Sequence, residues 1–389
     1  MSKEPEPSPR IPILFAGSTF VVGGAERVFA HLIHGLNSSP FAPELLALRE
    51  PGPIGEELAG AGIPLVSRLT GDGKFDPFVV AKIRRLIRSR RYEAIYFLDH
   101  AHTVFYGTLA SLGTSVRLRV MPVHTTGQWD GQPSLKRPIR LVQGKLDRII
   151  SIAEAQREYL IREEGVSKDQ LVVIPNGVPI EAPDAEARKK GRAEVRAELG
   201  VADDVPVAGI TAVLRPEKNH ELLLQSFVRV RAEEPKSEIW ILGDGPRREF
   251  LEAEVRRLHL EEAVRFLGYR GDARRWMLGF DVAVLTSHPR VETLPLSFIE
   301  AMDAGNPVVA TRVGALAEMI DEGNSGFLVE PSDVEGLSDA LIRVLADLDR
   351  AQAMGEAAQA IAGAKYSVDR MVSLTRDLLV DRLRATAQS

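Results

Sequence analysis

The chain has 389 residues, 44% hydrophobic and 26% charged, with a net charge of −5, the make-up of a soluble globular protein long enough for two cores. It contains no cysteine, which excludes a disulfide framework and a thiolate metal site and fits a reducing cytoplasm. Residues 1–180 hold 22 Lys+Arg against 18 Asp+Glu and the remainder 27 against 36, so the first half is mildly basic and the second acidic. That balance admits an anionic acceptor or a peripheral contact between the first domain and the inner face of a membrane, and equally a solvated surface.

Residues 1–10, MSKEPEPSPR, are polar and proline-rich with no apolar stretch behind them; they read as a disordered tail, not a signal peptide. No run of about 18 apolar residues occurs, so the sequence predicts no bilayer span and a cytoplasmic protein. Ile11–Ala16 reads as the first buried strand. A Gly-rich turn with Gly23-Gly24-Ala25-Glu26-Arg27 follows, then a helical pattern through Val28, Leu32, Ile33 and Leu36. This strand–turn–helix order brings backbone close to a ligand, although it is neither G-x-G-x-x-G nor a Walker A loop. Further strands are predicted at Glu44–Leu48, Leu65–Val66, Ala94–Leu98 and Val116–Val123. Strands alternating with helices imply parallel sheets covered on both faces.

The arginine-rich stretch Lys82–Arg91 keeps Ile83, Leu86 and Ile87 on one face and reads as a solvated helix, with no interleaved aromatics to suggest nucleic acid binding. His100, His102 and His124 fall at or beyond strand C-terminal ends, where open α/β sheets bind ligands. Their spacing matches no metal-ligand pattern. The basic helical stretch Leu135–Arg148 leads to strands at Ile149–Ser151 and Val172–Ile174, and Pro175-Asn176-Gly177-Val178 closes the first half. Residues 179–200 read as an exposed connection and a surface helix.

Strands resume with Val207–Val213, followed by Arg215-Pro216-Glu217-Lys218, two cations at a strand end able to converge on one anion. Ile239–Leu242, Val264–Tyr269 and Val282–Leu285 are further strands. The stretch Ser287–Thr311 then gives a polar loop, a helix with Leu296, Phe298, Ile299 and Met302 on one face, and a strand at Val308–Ala310. Glu292 in the loop and Glu300 in the helix stand eight residues apart. A helix N-terminus suits a phosphate, and carboxylates beside it suit hydroxyls. A sugar linked to a nucleoside diphosphate offers both. Asp347-Leu348-Asp349 lies in a helical run and reads as helix surface rather than a D-x-D metal motif.

The Glu292–Glu300 pair resembles the E-x7-E signature of the retaining glycosyltransferases of family 4, which include glycogen synthase-like and mannosyltransferase-like enzymes. Gly23-Gly24-Ala25-Glu26-Arg27, the strand-ending His124, Ile174-Pro175-Asn176-Gly177-Val178 and Arg215–Asn219 resemble further elements of that family, in its order. The resemblance implies a GT-B fold, two Rossmann-like doubly wound parallel-sheet domains facing a cleft. Residues 11–185 would bind the acceptor and residues 186–364 the nucleotide-sugar, and helix 365–389 would pack back on the first domain.

It also implies site roles. His124, Glu292, Arg215 and Lys218 would serve catalysis, and Gly23, Gly24, Arg215, Lys218, Thr293, Leu294, Pro295, Leu296 and Glu300 would bind a UDP- or GDP-linked donor. No metal or cofactor would be needed. The acceptor would be a glycan or lipid-linked hydroxyl, as in cell-surface polysaccharide, lipid-linked glycan or glycolipid synthesis. The departing phosphate oxygen would deprotonate that hydroxyl on the same face, so no enzymic nucleophile is required.

Thr293 stands where the family commonly has Gly. A Cβ there would crowd the sugar, change which sugar fits, or leave a donor-binding protein without turnover. A sugar-nucleotide 2-epimerase of the same architecture and a two-domain solute receptor are the other readings. The loops about Thr70–Asp76 and Thr125–Pro133, the latter with Trp129, match no specificity pattern.

Overall fold

The structure is a computed structural model that describes the chain except residues 1–9, 38–39, 71–75, 77, 99, 128–130, 290–291 and 389 and the side chains of 387–388. The N-terminal tail, most of the Thr70–Asp76 loop and Trp129 therefore lie outside the described residues. The chain divides into two units. The first comprises Met1–His124, Pro133–Gly177 and Val368–Ser389, and the second Thr125–Gln132 and Val178–Ser367.

The first unit holds strands β1 (Ile11–Gly17), β2 (Phe41–Ala47), β3 (Leu65–Ser67), β4 (Ala94–Phe97), β5 (Leu118–Val123), β6 (Arg148–Ser151) and β7 (Leu171–Val173). They form one sheet in the order β3-β2-β1-β4-β5-β6-β7, and every paired neighbour is parallel. The second unit holds β8 (Val207–Thr211), β9 (Glu238–Leu242), β10 (Val264–Gly268), β11 (Val282–Leu285), β12 (Val308–Thr311) and β13 (Gly326–Val329). Its sheet runs β10-β9-β8-β11-β12-β13, again parallel throughout. Both sheets are doubly wound, with the strand order reversing between β1 and β4 and between β8 and β11.

Strands covered on both faces must be apolar along their whole length, not alternately. Ala94-Ile95-Tyr96-Phe97, Val282–Leu285 and Val308–Thr311 are buried at every position for that reason. In β9 the one acidic residue, Glu238, is paired: it accepts from Trp240 Nε1 at 2.9 Å and from Arg265 Nε at 2.7 Å. Each unit packs a core of its own, one about Phe97, Ile83 and Val123 and the other about Phe227, Ile241 and Leu341. The closing helix Val368–Gln388 belongs to the first unit, where Val372 presses on Gly35 of the helix Gly24–Leu36 so closely that a Cβ at Gly35 would stand 2.5 Å from it.

Three sequence expectations are corrected. The stretch Leu135–Arg148 is helical only over Arg137–Val142 and a 3-10 turn at Gln143–Lys145, then joins β6 at Arg148. β5 begins at Leu118, two residues later than the apolar pattern suggests. Ser115 and Val116 are still in the turn, with Ser115 Oγ donating to Tyr92 O at 2.8 Å. The apparent helical run through Asp347 is two helices, Val334–Leu345 and Leu348–Lys365. Asp347 is the N-cap of the second and accepts from Arg350 N at 3.0 Å, a bond that satisfies one orphan donor of the helix start. Among the described residues no helix is long and apolar enough to cross a membrane.

Candidate active site

In a doubly wound sheet the loops leaving the two strands at the reversal point run to opposite faces and open a crevice at the carboxyl edge. In the second unit those strands are β8 and β11. The loop after β8 is held by Leu214, fully buried, and turns through a 3-10 segment at Pro216–Lys218 into the left-handed Asn219 (φ 47°). Gly243, after β9, lets the neighbouring loop press on it: a Cβ at this φ 140° position would run into the Ala212 carbonyl. The loop after β11 is sewn to the same segment. Thr286 Oγ1 donates to Lys218 O at 3.0 Å and Asn219 O at 2.9 Å, and His288 N donates to Glu217 O at 2.9 Å.

These bonds bring Lys218 and Glu292 together. Lys218 Nζ lies 2.6 Å from Glu292 Oε2, and Ser287 Oγ donates to the same oxygen at 2.7 Å. Arg215 is more exposed, with its guanidinium 3.9 Å from Glu217 Oε1. Glu292, Thr293 and Leu294 are all buried. The Thr293 hydroxyl spends its polarity on Thr126, Oγ1 to Oγ1 at 2.8 Å. Behind the loop, Ala315 N donates to Thr293 O at 2.9 Å and Thr311 Oγ1 to Ser287 O at 2.8 Å. Gly314, at φ 52°, sits against the Glu292 carbonyl where any Cβ would collide.

Pro295 then opens the helix Leu296–Asp303. Ser297 Oγ donates to Thr211 O at 2.9 Å and so ties the first turn to the end of β8. Glu300 faces the second turn, and burial, its largest influence, raises its carboxyl above the ordinary range. Arg274 opposes that rise, and Glu181 and Asp303 add to it. Asp303, fully buried, accepts from Glu181 N at 3.0 Å and Ala182 N at 3.1 Å and pairs with Arg274.

The remaining candidates belong to the first unit. Gly23 is the N-cap of the helix Gly24–Leu36, at the carboxyl edge of β1. His124 follows β5 directly and is half-buried. Among the described residues no group of three or more His, Asp or Glu is placed to hold a metal ion.

Two family models match the chain, one described as glycosyltransferase family 4 over residues 22–182 and one as glycosyl transferases group 1 over residues 191–361. The chain belongs to the family 4-type glycosyltransferases. This glycosyltransferase is 28% identical to a GDP-mannose-dependent alpha-(1-6)-phosphatidylinositol monomannoside mannosyltransferase of Mycolicibacterium smegmatis, over 90% of its own chain and 91% of the relative. It is 25% identical to a UDP-Gal:alpha-D-GlcNAc-diphosphoundecaprenol alpha-1,3-galactosyltransferase of Escherichia coli, over 84% of the chain and 86% of that relative. Among solved structures, the Anabaena protein HepE crystallised with UDP superposes with a TM-score of 0.81 at 23% identity, covering 96% of this chain and 100% of that one. A sucrose-phosphate synthase of Thermosynechococcus elongatus superposes at 0.74 with 19% identity, covering 97% and 100%. These likenesses agree with the strand orders in giving the two-domain Rossmann-like GT-B fold.

Several residues that build the candidate site carry no signal that singles them out in the sequence. Ser287, Thr286 and Thr311 are small hydroxyl residues at strand ends, a type common in any loop. Gly314 lies between the strand Val308–Thr311 and the short helix Leu316–Met319. Its left-handed φ beside Glu292 has no signature one can see in a single sequence. Asp303, one turn beyond Glu300 and likewise acidic, carried a signal in its position on the apolar face of its helix, where an acid must be paired.

Proposed function

We propose that the protein transfers a sugar, with retention of anomeric configuration, from a UDP- or GDP-linked donor to a hydroxyl of a lipid-linked glycan or glycolipid. The observation that carries the reading is the Lys218–Glu292 pair at the β8/β11 crevice, beside Arg215 and the start of the helix that carries Glu300. A diphosphate needs cations and N–H donors. Lys218, Arg215 and the helix N-terminus supply them without a divalent ion. Glu292 then takes sugar hydroxyls and Glu300 the ribose hydroxyls. On donor arrival Lys218 exchanges its carboxylate partner for phosphate, and Ser287 keeps Glu292 oriented toward the sugar. In the first unit we assign His124 to a sugar hydroxyl and the Gly23–Gly24 turn to backbone contact with substrate.

The chemistry balances without an enzymic nucleophile. The bond from the anomeric carbon to the phosphate oxygen breaks, and the acceptor oxygen bonds to that carbon on the same face. The acceptor proton passes to the departing phosphate. The names of the relatives support nucleotide-sugar donors and lipid-linked acceptors, one GDP-mannose-dependent on a phosphatidylinositol mannoside and one using UDP-Gal on a diphosphoundecaprenol glycan.

Calorimetric titration with UDP and with GDP in metal-free buffer tests the reading. One nucleotide is expected to bind, and Lys218→Ala and Glu300→Ala each to weaken it by about tenfold or more. Absence of binding by either nucleotide at millimolar concentration overturns it. Retention is checked by the anomeric proton coupling of the first product formed, and an inverted product removes the front-face mechanism.

A further inference from the structure

The helix Leu296–Asp303 carries two acids one turn apart, Glu300 and Asp303, and the first is the group assigned to the ribose. Asp303 sits on the apolar face with Phe298, Ile299 and Met302, and its side chain is 0% exposed. A carboxylate in that place must be paired. Its partners come from two other segments. Arg274 extends from the short helix Ala273–Met277, which the buried Trp276 and Met277 anchor, and its guanidinium pairs with Asp303. Glu181 N and Ala182 N donate to the two carboxylate oxygens at 3.0 and 3.1 Å.

Arg274 has two further partners. Its Nη1 donates to Pro179 O at 2.6 Å, and its Nε lies 3.2 Å from Glu181 Oε1. Gln359 Nε2 closes the arrangement from the helix Leu348–Lys365, donating to Asp303 O at 2.8 Å and to Pro183 O at 3.2 Å. Ala182 adopts a left-handed φ of 41°, a region that a non-glycine residue occupies only when its surroundings fix it. Here the bond to Asp303 fixes it. The neighbouring Arg275 is engaged elsewhere, with Glu198.

The charged groups that face Glu300 are Arg274, Glu181 and Asp303. One cation therefore serves three carboxylates, and two of those are already paired with it. Burial raises the Glu300 carboxyl, Arg274 lowers it, and Glu181 and Asp303 raise it again. A carboxyl accepts from ribose hydroxyls best when ionised, with both oxygens open as acceptors. Where the guanidinium stands then decides how ready Glu300 is for the ribose, and Asp303 decides where the guanidinium stands.

We propose that Arg274 and Asp303 are positioning residues of the nucleotide site: Asp303 and the Pro179–Ala182 backbone fix the guanidinium, and the guanidinium supports the Glu300 carboxylate that takes the ribose hydroxyls. The proposal rests on the glycosyltransferase reading above and adds two residues to it. Both act through Glu300.

The test is calorimetric titration of the full chain with UDP and with GDP over about pH 4.5 to 8.5. Each affinity is divided by that of Glu300→Gln at the same pH, so that ionisation of the phosphates cancels. In wild type the ratio is expected to fall as pH drops through the Glu300 midpoint. Arg274→Gln is expected to move that midpoint up by about half a pH unit or more. Asp303→Asn, which keeps an acceptor oxygen and drops the charge, is expected to move it down by a similar amount. Arg274→Lys is expected to restore most of the wild-type midpoint. Glu181→Gln, on a side chain 66% exposed, leaves the fold intact and is expected to give a smaller downward shift. A purely structural role would weaken binding equally at every pH. Such a uniform loss, shifts of the same sign in Arg274→Gln and Asp303→Asn, or an unmoved midpoint in every variant overturns the proposal. Should Arg274→Gln or Asp303→Asn fail to fold, Glu181→Gln decides, and a midpoint equal to wild type overturns it. If wild type binds a nucleotide but its ratio to Glu300→Gln does not vary with pH, only this inference falls. If wild type binds no nucleotide, the transferase reading falls with it.

Discussion

Lys218 Nζ and Glu292 Oε2 stand 2.6 Å apart, with side chains 21% and 8% exposed, so each is the other's chief electrostatic partner at the crevice of the second unit. Removing one member of such a pair strands a charge in a poorly hydrated place. Lys218→Met is therefore expected to destabilise the protein by about 2–4 kcal/mol, and the double variant Lys218→Met/Glu292→Gln to recover most of that loss. The unfolding midpoints in urea decide it. Equal midpoints for wild type and the single variant would show that water already screens the pair.

Gly314 carries a second expectation. Its φ of 52° and its contact with the Glu292 carbonyl leave no room for a side chain. Gly314→Ala must move the Glu292–Thr293 backbone. Its cost is expected at about 2 kcal/mol or more, with weaker nucleotide binding at the same time. A variant with wild-type melting temperature and wild-type affinity would show that the loop relaxes freely.

Glu300 links stability to function with opposite signs. Burial raises its folded-state carboxyl above the unfolded value, so the unfolded chain gives up its proton first as pH rises. This group's contribution to stability is thus lost as pH climbs from the ordinary glutamate range through the raised one, and stays lost at neutral pH. Glu300→Gln removes that penalty. The variant is expected to melt higher than wild type at pH 7.5, to match it more closely at pH 4, and to bind nucleotide less well. A lower melting point at pH 7.5 would contradict the assignment.

His220 opens the helix after the Lys218 turn, is buried, and has both ring nitrogens without a hydrogen-bond partner. Burial first, then the charges of Lys218 and Arg247, pushes its pKa down to about 4 from 6.5. Between those values the unfolded chain binds the proton and the folded chain does not, so stability falls as pH drops from 6.5 to 4. The integrated loss is about 3 kcal/mol at most. Denaturation curves of wild type and His220→Phe across this window check it, with the shallower pH slope expected in the variant.

Much of this protein was legible in the residues alone, wherever one stretch of chain is enough to state a physical requirement. Strands such as Val282–Leu285, and Val308–Ala310 of the strand Val308–Thr311, are apolar throughout because both faces are covered, so they announce parallel sheets without any partner being known. The two glutamates, the Arg215–Lys218 turn and the helix start at Leu296 stood out as candidate site residues through residue type and local order. Periodicity erred where a boundary depends on a partner. Asp347 is a helix cap rather than helix surface, because two helical runs abut without a break in pattern.

Only the tertiary structure decided which charges meet. Lys218 and Glu292 are 74 positions apart and touch because β8 and β11 are neighbours at the reversal of the sheet. Ser18, Glu26 and His100 converge for the same reason at β1 and β4. A sequence records the chemistry each segment carries and the local geometry it prefers. The pairing of distant strands sets which of those chemistries share a crevice, and that pairing is settled by packing over the whole chain.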